Sequence, residues 1–244
     1  QKKSGNLEEE YHSLGEKQIG LVLQEEEGFP QKLLEIPDPP YGLFYKGKLP
    51  EQKQPSVAVI GARECSEYGR FVAEELGRYL GSQGIQVISG MARGIDGISQ
   101  QAALLAGGTS YGVLGCGVDI CYPRQNRKLY EELIQKGGLL STYAPGTKAL
   151  PAYFPPRNRI VSGLADALIV IEARQKSGTL ITVDMALEQG KDVYVLPGRI
   201  NDPMSAGCND LIKSGAYLMS SYMDIESSCS ITSKLTDINR NKSS

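Results

Sequence analysis

A short apolar run followed by a segment of helix length recurs from residue 57 to residue 198. Val57–Ile60 ends at Gly61, and Tyr68–Leu80 then places Phe71, Val72, Leu76, Tyr79 and Leu80 on one helical face. Ile85–Ile88 ends at Ser89-Gly90, before a helix near Ile95–Leu105. Tyr111–Leu114 ends at Gly115, before a helix near Gln125–Gln135. Leu139–Leu140 is a short strand. Ala167–Ile171 is followed by a helix near Leu180–Glu188, and Val193–Leu196 ends at Pro197-Gly198. Runs this short and this apolar fit strands covered on both faces, which is the condition of a parallel sheet.

Right-handed crossovers between such strands predict an α/β fold, a Rossmann-like, doubly wound, mostly parallel sheet with helices on both faces. Residues 57–220 form that body. Residues 1–56 read as a lead-in, a remnant of an N-terminal helical domain followed by the extended segment around Ile36-Pro37-Asp38-Pro39-Pro40, since Pro at that density stops helices. Residues 221–244, rich in Ser, Asn and Lys, read as a flexible tail or linker.

Several classes of chemistry are excluded or disfavoured. With 26 basic and 28 acidic residues among 244, the chain is no broadly basic nucleic-acid binder, although a local basic patch is compatible with that balance. His12 is the only histidine, which removes Ser-His-Asp and Cys-His catalysis. Five cysteines without a Cys-x-x-Cys pair make a zinc site improbable, and no metal or cofactor is called for. Gln1-Lys2-Lys3-Ser4-Gly5 lacks the apolar core of a signal peptide, and no window reaches the ~18 apolar residues of a membrane span. An odd cysteine count without a leader fits a reducing cytoplasm. The absence of an opening Met reads as a trimmed sequence.

In a doubly wound sheet the ligand crevice lies at the carboxyl ends of the strands, so the sequences at that edge carry the weight. Gly61-Ala62-Arg63 is not a Gly-x-Gly-x-x-Gly fingerprint. Arg63 there either grips a phosphate or pairs with Glu64 or Glu67. Gly90 and Gly94 flank a short loop that could cradle phosphate, with Asp96 read as the cap of the next helix. Arg124, Arg127 and Lys128 open a helix, where cations are disfavoured unless an anion neutralises them; a solvated face is the alternative. Cys116 and Cys121 read as core thiols.

Phe154-Pro155-Pro156-Arg157-Asn158-Arg159 sets an aromatic beside alternating cations. That suits single-stranded nucleic acid, the ring stacking a base and the arginines taking phosphates; a Pro-rich surface loop is the bland reading. Ser177, Gly178 and Thr179 stand where a helix N-terminus meets either a phosphate or its own cap. Glu172 ends its strand and could face the crevice, but no histidine is available to partner it in acid–base chemistry.

The ordered set of these motifs, over roughly residues 28–220, resembles the DNA-processing protein family known as DprA or Smf. Besides those quoted, it includes Leu114-Gly115-Cys116-Gly117-Val118-Asp119, Tyr122-Pro123, Asn126 and Gly207-Cys208-Asn209. The resemblance implies an extended Rossmann fold, a homodimer, and no catalytic reaction. It also implies single-stranded DNA held in a positive pocket, and help in loading a RecA-type recombinase during natural transformation. Carried over by position, the DNA-binding residues are Arg63, Arg124, Lys128, Phe154, Arg157 and Arg159, with Lys148 added on plausibility. Gln100 stands where relatives often have His, and Ser141-Thr142 where they usually have Ser-Glu.

Two readings compete with sequence-independent single-strand binding. One is a nucleotide sensor or nucleoside-monophosphate-cleaving enzyme using Gly178-Thr179, although Gln175-Lys176-Ser177 lacks paired glycines. The other is an oligomerisation scaffold, with Leu211, Ile212 and Leu218 as candidate contacts.

Overall fold

The computed structural model describes residues 7–242; Gln1-Lys2-Lys3-Ser4-Gly5 lies outside them. The strands are β1 (Gly20–Leu23), β2 (Gly42–Gly47), β3 (Ser56–Gly61), β4 (Gln86–Ser89), β5 (Ser110–Val113), β6 (Gly138–Ser141), β7 (Ala167–Ile171), β8 (Asp192–Val195) and β9 (Tyr217–Leu218). The helices are α1 (Leu7–Glu16), α2 (Glu67–Ser82), α3 (Ile95–Leu105), α4 (Arg127–Lys136), α5 (Phe154–Gly163), α6 (Gly178–Glu188), α7 (Ala206–Lys213) and α8 (Cys229–Lys242).

All nine strands join one sheet in the order β1-β2-β6-β5-β4-β3-β7-β8-β9. From β3 to β9 every pairing is parallel, and β6 through β3 likewise. The chain winds outward from β3 through β4, β5 and β6, then returns past β3 to β7, β8 and β9. The order therefore reverses between β4 and β7, on either side of β3, and in such sheets the crevice opens there.

Alternation within the strands sorts the core into two layers. Ala58 and Ile60 of β3 pack with Ile160 and Val161 of α5 and Val183 of α6. Val57 and Val59 pack on the other face with Val72, Leu76 and Leu80 of α2 and Ile95 of α3. Each fully buried Leu or Val contributes ~1.5–3 kcal/mol through burial, so these stripes hold the layers to the sheet. Ser66 starts α2 by accepting the Gly69 amide at 3.0 Å. Phe71, expected on the buried face of α2, is exposed; Ala73 takes the buried place instead. The stripe runs Val72, Leu76, Leu80 at steps of four, and Phe71 falls outside it.

Both end segments depart from expectation. The lead-in supplies β1 and β2, which add to β6 as antiparallel strands. Its Phe29, Leu33 and Leu43 have no exposed surface. The described part of the tail is helical rather than extended. Residues Tyr222–Ser227 form a 3-10 turn, α8 follows, and Ile225 and Ile231 are buried against the α2 layer. Lys234 of α8 pairs with Asp166 at 2.8 Å, and Lys32 of the lead-in reaches the same carboxylate at 2.8 Å. One ion pair, from Lys234, and the buried Ile231, with Ile225 in the turn before it, dock a helix whose composition looks like a linker.

Candidate nucleic-acid interface

At the carboxyl edge where the strand order reverses lies a crevice of two lobes. The larger, about 660 Å³, runs between the ends of β3 and β7, the start of α6 and the α5 face. The smaller, about 450 Å³, runs toward Leu114–Cys116 and Tyr122–Gln125. They share Arg63, Gly90, Ala92, Arg93, Tyr122, Phe154 and Arg157.

Phe154 is the centre of this junction. Its ring lies 5.4 Å from that of Tyr122. The Arg63 guanidinium sits 5.7 Å from its centroid and that of Arg157 5.6 Å. A half-buried ring between two cations, open to a cavity, can stack a base while the exposed guanidinium meets phosphate. Arg63 pairs with no carboxylate among the described residues, so neither Glu64 nor Glu67 neutralises it.

Phe154 and Arg157 reach the crevice because Phe154–Gly163 is a helix. Pro155 and Pro156 occupy its first turn, where the missing N–H is no loss. The Pro-rich loop reading is thus corrected, and with it the pairing of arginines. Residues two apart on a helix do not share a face. Arg159 turns away, donates to the Asp38 carbonyl and lies 3.5 Å from its carboxylate. It lines neither lobe.

Arg157, expected as a DNA contact, lines both lobes but is only 6% exposed. Its Nη1 donates to the Gly90 carbonyl at 2.9 Å and to the Val113 carbonyl. Burial pulls the guanidinium down to about 10, Asp96 opposing and Arg63 adding to the pull, so the group stays cationic at neutral pH. Asp96 is not the cap of α3, a place taken by Gly94. Its buried carboxylate accepts the Gly90 amide at 3.1 Å. Burial raises its pKa against the pull of Arg157.

The other expected residues scatter. Arg124 is exposed and lines the smaller lobe. Lys128 is exposed but lies 3.8 Å from Glu132, and Arg127 pairs with Glu131 at 2.7 Å. Carboxylates four residues on offset the cations that open α4. Lys148 is exposed and lines neither lobe. Gly61 and Gly90 line the larger lobe. Gly94 does not; it has φ +73°, and a Cβ there would fall 2.2 Å from the Ala62 carbonyl, so the chain itself demands the glycine.

Ser177 caps α6 through the Thr179 amide at 3.2 Å, and the Thr179 hydroxyl reaches the Gly61 carbonyl at 3.3 Å. Both still face the larger lobe with Gly178. Glu172, with φ 59°, turns from the crevice to α2, where it accepts the Ser66 amide at 2.9 Å and the Ser66 hydroxyl. Gln100 is wholly buried, bridging the Met91 amide, the Ser110 hydroxyl and the Tyr111 carbonyl. It fills a structural place, with no path to the crevice.

Tyr122, Arg93, Arg174 and Lys176 line the crevice but were not among the expected contacts. Arg93 lies in the loop after β4, and Arg174 and Lys176 in the loop after β7; Tyr122 belongs to the Tyr122-Pro123 stretch. For the three cations that position was the signal: an exposed cation in the loop past a strand end faces the crevice.

The fold and its crevice define a class: a doubly wound α/β protein with a cation-rimmed, aromatic-centred crevice at its switch point. The chain belongs to the DNA recombination-mediator protein A family, whose pattern matches residues 20–230. It is 43% identical over 197 residues to DNA processing protein DprA of Streptococcus pneumoniae, covering 81% of this chain and 70% of that protein. It is 40% identical to Protein Smf of Escherichia coli, covering 84% of this chain and 55% of that one. The chain thus spans little more than half the length of some relatives. The X-ray structure of the S. pneumoniae protein matches with a TM-score of 0.81 at 39% identity, over 88% of this chain and 76% of that one. A structure of DNA processing protein A from Helicobacter pylori, described in terms of its single-stranded DNA binding mode, matches with a TM-score of 0.78 at 30% identity, over 90% and 97%. The family works in DNA processing and recombination.

Proposed function

We propose that the two-lobed crevice binds single-stranded DNA without sequence preference. The observation that carries this is the Phe154 junction: a ring accessible from both lobes, Tyr122 beside it, and exposed Arg63, Arg93 and Arg124 around it without carboxylate partners among the described residues. Stacking supplies ~1–3 kcal/mol per base, and the arginines supply the salt-dependent share.

The reading is one of binding rather than catalysis. The buried carboxylates at this edge are already engaged, Asp96 by Gly90 and Glu172 by Ser66. His12 lies exposed on α1, 3.7 Å from Glu16. The bound strand would pass to a RecA-type recombinase. A homodimer would form through the β9 edge, where Tyr217 and Leu218 are exposed beside Ile212. The setting is the cytoplasm, where the free thiols of Cys65, Cys116, Cys121 and Cys208 stay reduced.

The test is displacement of a labelled oligo-dT by unlabelled oligo-dT, duplex and AMP, read by fluorescence anisotropy. Displacement by the single strand alone supports the reading. Displacement by AMP, with release of adenine on longer incubation, replaces it by the nucleotide-cleaving alternative, for which the larger lobe has a suitable volume.

A further inference from the structure

The junction accounts for one wall of the larger lobe. Away from the smaller lobe, its lining includes Arg174 and Lys176, on the connection from β7 to α6, with Ser177 and Gly178 next to them in the chain. Both cations are exposed, and neither forms an ion pair among the described residues. A Cβ placed on Gly178 would meet nothing within 4 Å, so the space before α6 is open.

Charge at this lobe is unbalanced. Arg63, Arg93, Arg157, Arg174 and Lys176 line it against Glu64 and the buried Asp96. Like charges gathered around one cavity repel and destabilise the empty protein, so the arrangement calls for a polyanion. A single phosphate group at Arg63 leaves Arg174 and Lys176 uncompensated. The smaller lobe adds Arg124 as its one charged residue beyond the shared ones.

We propose that the bound strand crosses both lobes, with Phe154 at the middle of its path and not at its end. Arg174 and Lys176 take phosphates on one flank of the stacked base, and Arg124 takes one on the other. This rests on the single-strand reading above. It adds Arg174 and Lys176 as DNA contacts and makes the larger lobe part of the track, rather than a closed mononucleotide pocket.

The experiment compares salt dependence of oligo-dT binding in wild type, Arg63→Gln, Arg124→Gln and the double variant Arg174→Gln/Lys176→Gln. Arg127→Gln, outside both lobes, serves as control. Thermal melts check that each variant is folded. Each phosphate contact on a single strand contributes about 0.7 to the slope of log K against log salt. The double variant is expected to lower the slope by about 1.4 and affinity by about tenfold, with the Arg124→Gln loss adding to it.

An unchanged slope in the double variant, with binding sharply reduced in Arg63→Gln, overturns this proposal and leaves single-strand binding standing. Unchanged binding in every variant overturns single-strand binding in this crevice itself. AMP that displaces oligo-dT from wild type but not from the double variant places a mononucleotide in the larger lobe and overturns the continuous track.

Discussion

Arg157 and Asp96 hold the same glycine from opposite sides: Arg157 Nη1 donates to the Gly90 carbonyl at 2.9 Å, and Asp96 Oδ2 accepts the Gly90 amide at 3.1 Å. The end of β4 is thereby fixed, and the floor of the crevice depends on two buried side chains that share one backbone unit. Arg157→Met removes the donors to Gly90 and Val113 and leaves Asp96 buried without its cation. Leaving a buried carbonyl without its donor costs about 1–3 kcal/mol, read as a fall in thermal midpoint. An unshifted midpoint with lost DNA affinity would return Arg157 to the role of a simple phosphate contact.

Gly90 has no room for a side chain. A Cβ there would lie 2.9 Å from both Arg157 Nη atoms and from Asp96 Oδ2. Gly90→Ala is expected to destabilise by about 1–3 kcal/mol in urea unfolding, because neither group can retreat without losing its bond to the backbone.

Arg159 and Lys128 should be bystanders. Arg159 is engaged by Asp38, and Lys128 stands on the solvent side of α4 near Glu132. Arg159→Ala and Lys128→Ala are expected to change oligo-dT affinity less than about twofold, against about tenfold or more for Arg63→Ala. Anisotropy titrations at one salt concentration decide between them.

Asp166 lies at the opposite, amino edge of the sheet, where it joins the lead-in to α8. Burial would push its carboxyl up, but Lys32 and Lys234 outweigh burial and hold it below its ordinary value. The folded state therefore binds this proton less readily than the unfolded chain. The stabilisation is present above about pH 4 and is lost as pH falls through the lower folded value. Asp166→Asn should cost about 3 kcal/mol at pH 7, with the difference from wild type shrinking as the pH drops below 4. DNA affinity at pH 7 should be unchanged, since the crevice is at the other edge.

The central strands and their helices are legible because burial on both faces leaves no polar residue to interrupt runs such as Ala167–Ile171. The ends are less so. β2 is only half buried, and its pairing with β6 joins residues nearly a hundred positions apart, which no local pattern encodes. α8 is held by a few long-range contacts and not by its own periodicity. At the site, Arg63 and Phe154 fall where their motifs put them. Arg157 and Arg159 do not, because an apparently extended Pro-rich segment is a helix that sends them to different faces. Composition cannot separate a cation that meets solvent from one that braces a carbonyl; only the packing of β4 and β5 against α5 does so.

The most direct test of the account is the affinity of the wild-type protein for a labelled oligo-dT across a series of salt concentrations. Three exposed arginines at the Phe154 junction, without carboxylate partners among the described residues, predict a linear fall of log K with log salt, with a slope of about −2 or steeper. Affinity that does not depend on salt, or no affinity in a folded protein, would contradict a crevice built to hold a phosphate backbone.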